Sequence, residues 1–287
     1  MERSRLLQCL AADYMRLREV AGAGLTAKVP TCLPWTVGDL VRHVGQVYLH
    51  KAELMRTGDW PTPWPPEDIL SEPPIALLDR AYGALTHEFS RRHDADAMPT
   101  FYTPDQTVKF WIRRMALETV IHRLDGEFAH KVIDPAPIAD DLAAEGVAEV
   151  LEIFVGYASD AWPEEFAKVI EQAKGHAVEV RMLASSPATS GDPATPATPA
   201  AASDPAPVPA RSWLVRVTDG RASVTPLDGS PLDPPPAATV TASPVPLLRW
   251  LWARESTPTT DAHSPIEVKG DEEAIAELRS LLRAGTQ

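Results

Sequence analysis

Glu118 and His122 stand four residues apart in the stretch Ala116-Leu-Glu-Thr-Val-Ile-His-Arg-Leu-Asp125, a spacing that puts both on one face of a helix. One turn of rise, roughly 6 Å, separates them, close enough for carboxylate and imidazole to converge on one ion. That is half a metal site. A third donor is His43, which shares a helical face with Leu40, Val44 and Val47, so an antiparallel bundle would supply it from across the core. Two imidazoles and a carboxylate suit Zn²⁺. Three protein ligands leave a fourth position for water or substrate, the pattern of a catalytic rather than a structural zinc. Asp125, three residues past His122, is spaced to orient its ring. Polar groups on core faces cost roughly 1–3 kcal/mol each when left unpaired, and a charge costs more, so these positions call for a partner.

Other candidates read more plainly. His50 lies a heptad beyond His43, about 10 Å further along the axis, so the two cannot hold one ion. Its place beside Lys51 and Glu53 assigns it a solvated role. His87 and His93 flank Glu88 and Arg92 on a polar surface. Cys32 has no base near it in sequence and reads as a packed loop thiol.

The elements that must position these groups follow from periodicity. Leu6, Leu7, Leu10, Tyr14 and Leu17 make a first amphipathic helix that stops near Gly22-Ala-Gly24. Thr36 and Asp39 have capping-box spacing, and Leu40, His43, Val44, Val47 and His50 follow on one face. Residues 59–74, rich in Pro and Trp, form a surface loop. Helix returns from Ile75 to about Arg92, and again over Thr107–His130 with Trp111, Met115, Glu118, His122 and Asp125 inward. Four such helices predict an antiparallel four-helix bundle. After about residue 135, a helix over Ala139–Phe154 precedes period-two stretches at 176–183, 213–217, 221–226 and 237–242. A short helix at 246–254, a strand at 266–268 and a helix at 272–283 complete the chain. The fold class is therefore α+β in two domains, 1–155 helical and 156–287 a small α+β domain. The Pro/Ala/Ser/Thr tract at about 184–211 cannot bury enough apolar surface to order itself and reads as a disordered insertion between paired strands.

Composition narrows the partners. With 40 acidic and 27 basic residues the net charge is −13, which repels a phosphate backbone, so nucleic acid is not expected. No apolar run reaches membrane-spanning length, and the charges scattered through residues 1–22 exclude a secretory core. Two cysteines, Cys9 and Cys32, are too few for a disulfide framework. The expectation is a cytoplasmic protein acting on a small molecule.

Two quoted runs carry a family likeness. Val29-Pro-Thr-Cys-Leu-Pro-Trp-Thr-Val-Gly-Asp-Leu-Val-Arg-His-Val-Gly45 and Glu118-Thr-Val-Ile-His-Arg-Leu-Asp125 resemble the mycothiol-dependent maleylpyruvate isomerase family of actinobacteria, within the wider DinB-like superfamily. Trp213-Leu-Val-Arg-Val217, Leu251-Trp-Ala-Arg254 and Val268-Lys-Gly-Asp271 resemble that family's second domain, which is similar in shape to sterol carrier proteins. Members often have histidine just before the glutamate, where this chain has Leu117. The resemblance implies a divalent metal on His43, Glu118 and His122 and mycothiol as the thiol. Zinc would strip the thiol of its proton, and the thiolate would attack an electrophile by isomerisation or S-transfer. Arg254 is then placed to bind a substrate carboxylate, with the second domain as a lid. Two other classes stay open: a hydrolase using metal-activated water, and a non-catalytic binder of an apolar ligand.

Overall fold

The computed structural model describes residues 1–185, 207–255 and 264–286. They form two compact units, Met1–Pro137 and Ile138–Gln287. The expected boundary at 155 moves to 137 because the helix after it packs inside the second unit, as described below.

The first unit is built on four long helices, α1 (Arg3–Ala23), α2 (Val37–Thr57), α4 (Pro74–Ser90) and α5 (Val108–Ala129), with a single-turn α3 (Glu67–Leu70) interrupting the proline-rich loop. The start of α2 is the capping box read from sequence. Thr36 Oγ1 accepts from Asp39 N–H at 3.2 Å, and Asp39 Oδ2 accepts from Thr36 N–H at 2.8 Å. Gly58 in the left-handed region closes the helix. Thr107 caps α5 by accepting from Phe110 N–H.

Helix directions follow from which residues meet. His43 faces Glu118, Tyr48 faces Thr119 and Lys51 faces Trp111, so α2 and α5 are antiparallel. Asp13 meets Arg123 and Arg16 meets Glu127, so α1 and α5 run parallel. Gly45 lies against Leu77 and Leu78, and Met55 O accepts from Arg92, so α2 and α4 also run parallel. The bundle is thus up-down-down-up. The connection 58–73 is the crossover that returns the chain along α2, whose axis is about 30 Å long. At Gly45 an added Cβ would sit 3.0 Å from Leu77 Cγ and 3.2 Å from Leu78 N, so glycine sets this close α2–α4 approach.

The second unit opens with α6 (Asp140–Ala148), which runs on through a π-helical segment (Glu149–Tyr157) into α7 (Ala158–Ala161), followed by α8 (Pro163–Gln172). A five-stranded sheet follows, comprising β1 (Val178–Met182), β2 (Arg211–Thr218), β3 (Arg221–Leu227), β4 (Ala238–Ala242) and β5 (Ile266–Gly270). Helices α9 (Pro244–Leu251) and α10 (Glu272–Gly285) pack with it. The strand order is β3-β2-β1-β4-β5, with β1 and β4 parallel and the other pairs antiparallel. Helix α6 packs on α9, which places residues 138–155 with the sheet. Alternate residues of the central strands, Val178, Val180, Met182, Trp213 and Val215, are buried, as period-two patterning requires. This is the α+β architecture expected. Helix α8 is an addition: Pro163 at its first turn, Glu164 and Glu165 beside it, and Phe166 fully buried are ordinary start and packing signals. The expected insertion at 184–211 falls mostly on residues outside those described. At its edges Ser185 and Val208 exchange backbone hydrogen bonds of 3.0 and 2.9 Å.

Arg123 is fully buried and ties α1 to α5. Its Nε donates to Asp13 Oδ1 at 2.9 Å, and its Nη1 donates to Glu127 Oε2 at 2.7 Å and to Ala136 O at 2.6 Å. Glu127, also fully buried, accepts from Arg16 Nε at 2.7 Å. Removing one member strands the others' charges in the core. Arg123→Met is expected to cost about 3–5 kcal/mol in chemical denaturation, a large part of a typical domain's stability. The exposed Arg221–Asp160 pair should lose under about 1 kcal/mol on Arg221→Met. Equal losses for the two variants would contradict the burial argument.

Candidate metal centre

Helix α5 is buried nearly all round, so its polar residues are committed to partners rather than to water. The face toward α2 brings the three expected donors together. Glu118 Oε1 lies 3.2 Å from His43 Nε2 and 3.2 Å from His122 Nε2, and one donor atom from each residue falls within 4.8 Å of the other two. His122 and Glu118 are largely buried, with 13% and 10% of their side-chain surface exposed, whereas His43 keeps 36%. The cluster is therefore closed on the α5 side and reachable beside His43.

Asp125 stands where its spacing put it, with Oδ2 3.0 Å from His122 Nδ1. Its other oxygen accepts from Thr31 Oγ1 at 2.5 Å, and Cys32 Sγ lies 3.6 Å from Oδ2. The segment carrying Thr31 and Cys32 is pinned by Val29 N–H to Trp35 O at 2.9 Å and Trp35 N–H to Cys32 O at 2.8 Å. These bonds also set the Trp35 ring 5.0 Å from His43 and 6.5 Å from His122. Cys32 is thus a half-buried loop thiol held against the Asp125 carboxylate.

Arg114, one turn before Glu118 on α5, was not singled out in the sequence. Its Nη2 pairs with Glu118 Oε2, leaving Oε1 toward the two imidazoles. The (i, i+4) spacing was the available signal. Burial pushes the Glu118 carboxyl up, but the Arg114 guanidinium and the His122 imidazole overcome it and hold the group well below the usual carboxylate range. Burial pushes His122 down, yet the Glu118 charge and the Asp125 hydrogen bond raise it to about 9.

His50 departs from the solvated role expected. It is half-buried against Trp64 at 4.8 Å and Trp60 at 5.8 Å, and burial lowers it to about 4. The proline-rich loop folds its tryptophans onto α2, which periodicity of the helix alone does not show. His87 and His93 are exposed, as read. Arg254 lies in the second unit, where Nη1 donates to Trp252 O at 2.6 Å and the guanidinium sits 5.6 Å from the Trp252 ring centre. A second group, His176, Asp271 and Glu273, also has donor atoms within 4.8 Å. It is an ion-pair surface, with His176 on Glu277 and Lys174 on Glu273.

Residues 7–126 match the family model of the mycothiol maleylpyruvate isomerase N-terminal domain. The likeness carried by the two quoted runs thus extends across the helical unit, and all three donors and Asp125 fall inside the matched span. Comparison with curated proteins gives no match. Among solved structures, Sterol Carrier Protein 2 from Yarrowia lipolytica (apo form) is similar at 13% identity over 51% of this chain and 91% of that chain, with a TM-score of 0.30, too slight a likeness to bear on the fold. Among the described residues, no helix is long and apolar enough to cross a membrane.

The His122–Asp125 contact generates a direct expectation. In metal-free protein, the His122 ring protons followed by NMR should titrate near pH 9, and Asp125→Asn should bring the midpoint down by about one unit or more. An unchanged midpoint in the variant would remove Asp125 as the group that holds the ring.

Proposed function

We propose that His43 Nε2, Glu118 Oε1 and His122 Nε2 hold a divalent metal, zinc by the chemistry of the donors, in a thiol-dependent enzyme that acts on an electrophilic small molecule. Mycothiol is the thiol that the matched family suggests, and isomerisation or S-transfer is the reaction class. The observation that supports this most is the pair of 3.2 Å separations from one carboxylate oxygen to two imidazole nitrogens. Bonds of about 2.0–2.1 Å to a tetrahedral ion give edges between ligands near 3.3 Å. The carboxylate stands at that spacing from each imidazole, the two imidazole donors lie within 4.8 Å of one another, and the fourth corner is left for a thiol.

Zinc, when bound, supplies a Lewis acid that deprotonates a thiol at neutral pH. The chain's own residues do the rest. Asp125 keeps the Nδ1 proton of His122, so Nε2 presents its lone pair. Thr31 fixes the other Asp125 oxygen, so that carboxylate cannot swing toward the ligands. Arg114 occupies Glu118 Oε2, leaving one oxygen to coordinate. Trp35 walls the reachable side and limits water around the nucleophile. Neither Cys9 nor Cys32 forms a disulfide, which suits the reducing cytoplasm in which such thiol chemistry operates.

Metal analysis of purified protein should find about one divalent ion per chain, falling to near zero in Glu118→Ala and His43→Ala. Thiol consumption with an electrophile panel should vanish in both variants. Wild type without a stoichiometric ion would overturn the metal assignment. Turnover without any thiol would shift the reading to metal-activated water.

Proton competition gives a second check. A protonated His122 cannot ligate, and its group is raised to about 9, so metal must displace that proton at lower pH. Apparent metal affinity should climb about tenfold per unit from pH 7 to 9 and level off above. A profile already flat at pH 7 would argue against His122 as a ligand.

A further inference from the structure

The connection 58–73 folds back over one stripe of α2, Leu49, Glu53 and Thr57, and leaves an open cleft of about 520 Å³ beside it, a volume within the range of small-molecule sites. Trp60 and Trp64 line it, with Ile69 and the loop prolines. Trp60 is 44% exposed, although so large a ring is ordinarily well buried. His50 lies against both indoles, 4.8 Å from Trp64 and 5.8 Å from Trp60. Burial lowers its imidazole to about 4, so it braces the rings at neutral pH without adding positive charge.

The ionisable groups lining the cleft are Glu53, Asp59, Asp68 and Arg80. Two of them are already matched by neighbours. Arg56 Nε donates to Glu53 Oε2 at 2.8 Å, and Arg80 donates to Glu72 at 3.1 and 2.6 Å. Asp59 and Asp68 are exposed, and no cation of the described residues lies within 4.0 Å of either carboxylate. Lys51, 5.2 Å from the Trp60 ring centre and 4.6 Å from that of Trp111, does not line the cleft. Even with its charge counted, the lining keeps a surplus of negative charge beside two indole rings.

That pairing of surfaces selects a ligand class. A hydrated inorganic cation leaves the indoles unused, a neutral apolar molecule leaves the carboxylates unused, and an anion is repelled. An alkylammonium uses both, because its methyl and methylene groups lie on ring faces while its charge is drawn by the ring quadrupoles and the carboxylates. We propose that this cleft binds a small organic cation, its alkylammonium head held by Trp60 and Trp64 with Asp59 and Asp68 as counter-charges. None of His43, Glu118 and His122 lines the cleft, so the site is separate from the metal centre and does not depend on its being loaded.

The test is calorimetric titration of the full-length protein with choline, against its uncharged carbon isostere 3,3-dimethylbutan-1-ol. Choline should bind saturably and at least about tenfold more tightly than the alcohol, and more weakly as salt is raised. Asp59→Asn with Asp68→Asn, two exposed isosteric changes, should lower choline affinity by about tenfold or more while the melting temperature stays at the wild-type value. In NMR spectra, the indole N–H signals of Trp60 and Trp64 should shift with choline, and those of Trp213 and Trp250, buried in the second unit, should not. Equal affinity for choline and the alcohol would overturn the proposal and leave an apolar groove. Wild-type choline affinity in the double variant would overturn it as well, as would the absence of any choline binding.

Discussion

One carboxylate organises the helical unit. Glu118 is withdrawn from water into the middle of α5, where an isolated charge would protonate rather than persist. It persists because Arg114 holds Oε2 and two imidazoles face Oε1. At an effective dielectric near 20, each unit charge at about 4 Å contributes about 4 kcal/mol, and the carboxyl is held well below its usual range in spite of its burial. Every other feature of the site serves that arrangement. Asp125 compensates His122, Thr31 compensates Asp125, and the 29–35 turn holds Thr31.

Helix α5 shows how a bundle can bury so many charges. On the α2 side Arg114 pairs with Glu118 one turn on, and His122 with Asp125 three residues on. On the α1 side Arg123 pairs with Glu127, again one turn on. Local pairing along one helix assembles each ion pair as soon as the helix forms, before neighbours close over it. The up-down-down-up order then places α2 and α1 against different faces of α5. One face gathers Glu118, His122 and Asp125, the groups of the proposed metal centre, and the other uses its polar groups to fasten α1. Partial exposure of His43, against full burial of Arg123, marks the difference.

Much of this was legible. The (i, i+4) pair, the capping box and the apolar face of His43 fix side-chain direction within a helix, and two such faces meet whenever a bundle forms. What periodicity cannot carry is which helices run parallel, since that depends on where a proline-rich connection travels. The same connection explains the misreading of His50: its burial comes from Trp60 and Trp64, which the loop brings onto α2 from outside the helix's own repeat. Residues 138–155 were assigned to the wrong unit for a related reason. Their helical pattern is unambiguous, but the partner, α9, lies about a hundred residues on. Arg114 had a visible signal, its spacing from Glu118, that attention to ligands alone passes over.

The engagement of the carboxylates also bears on which reaction suits the site. A zinc hydrolase uses a second acid as general base to take the proton of attacking water, as in the glutamate of a His-Glu-x-x-His helix. Here Glu118 has one oxygen toward the imidazoles and the other on Arg114, and Asp125 has one on His122 and the other on Thr31. Neither acid of the cluster is available to accept a proton without breaking the contacts that orient the donors. A thiol needs no such base, because coordination alone lowers its proton affinity enough at neutral pH. If the cluster holds zinc as proposed, the hydrogen-bond commitments of its two carboxylates favour a soft nucleophile over water, on a scaffold type that by itself selects neither.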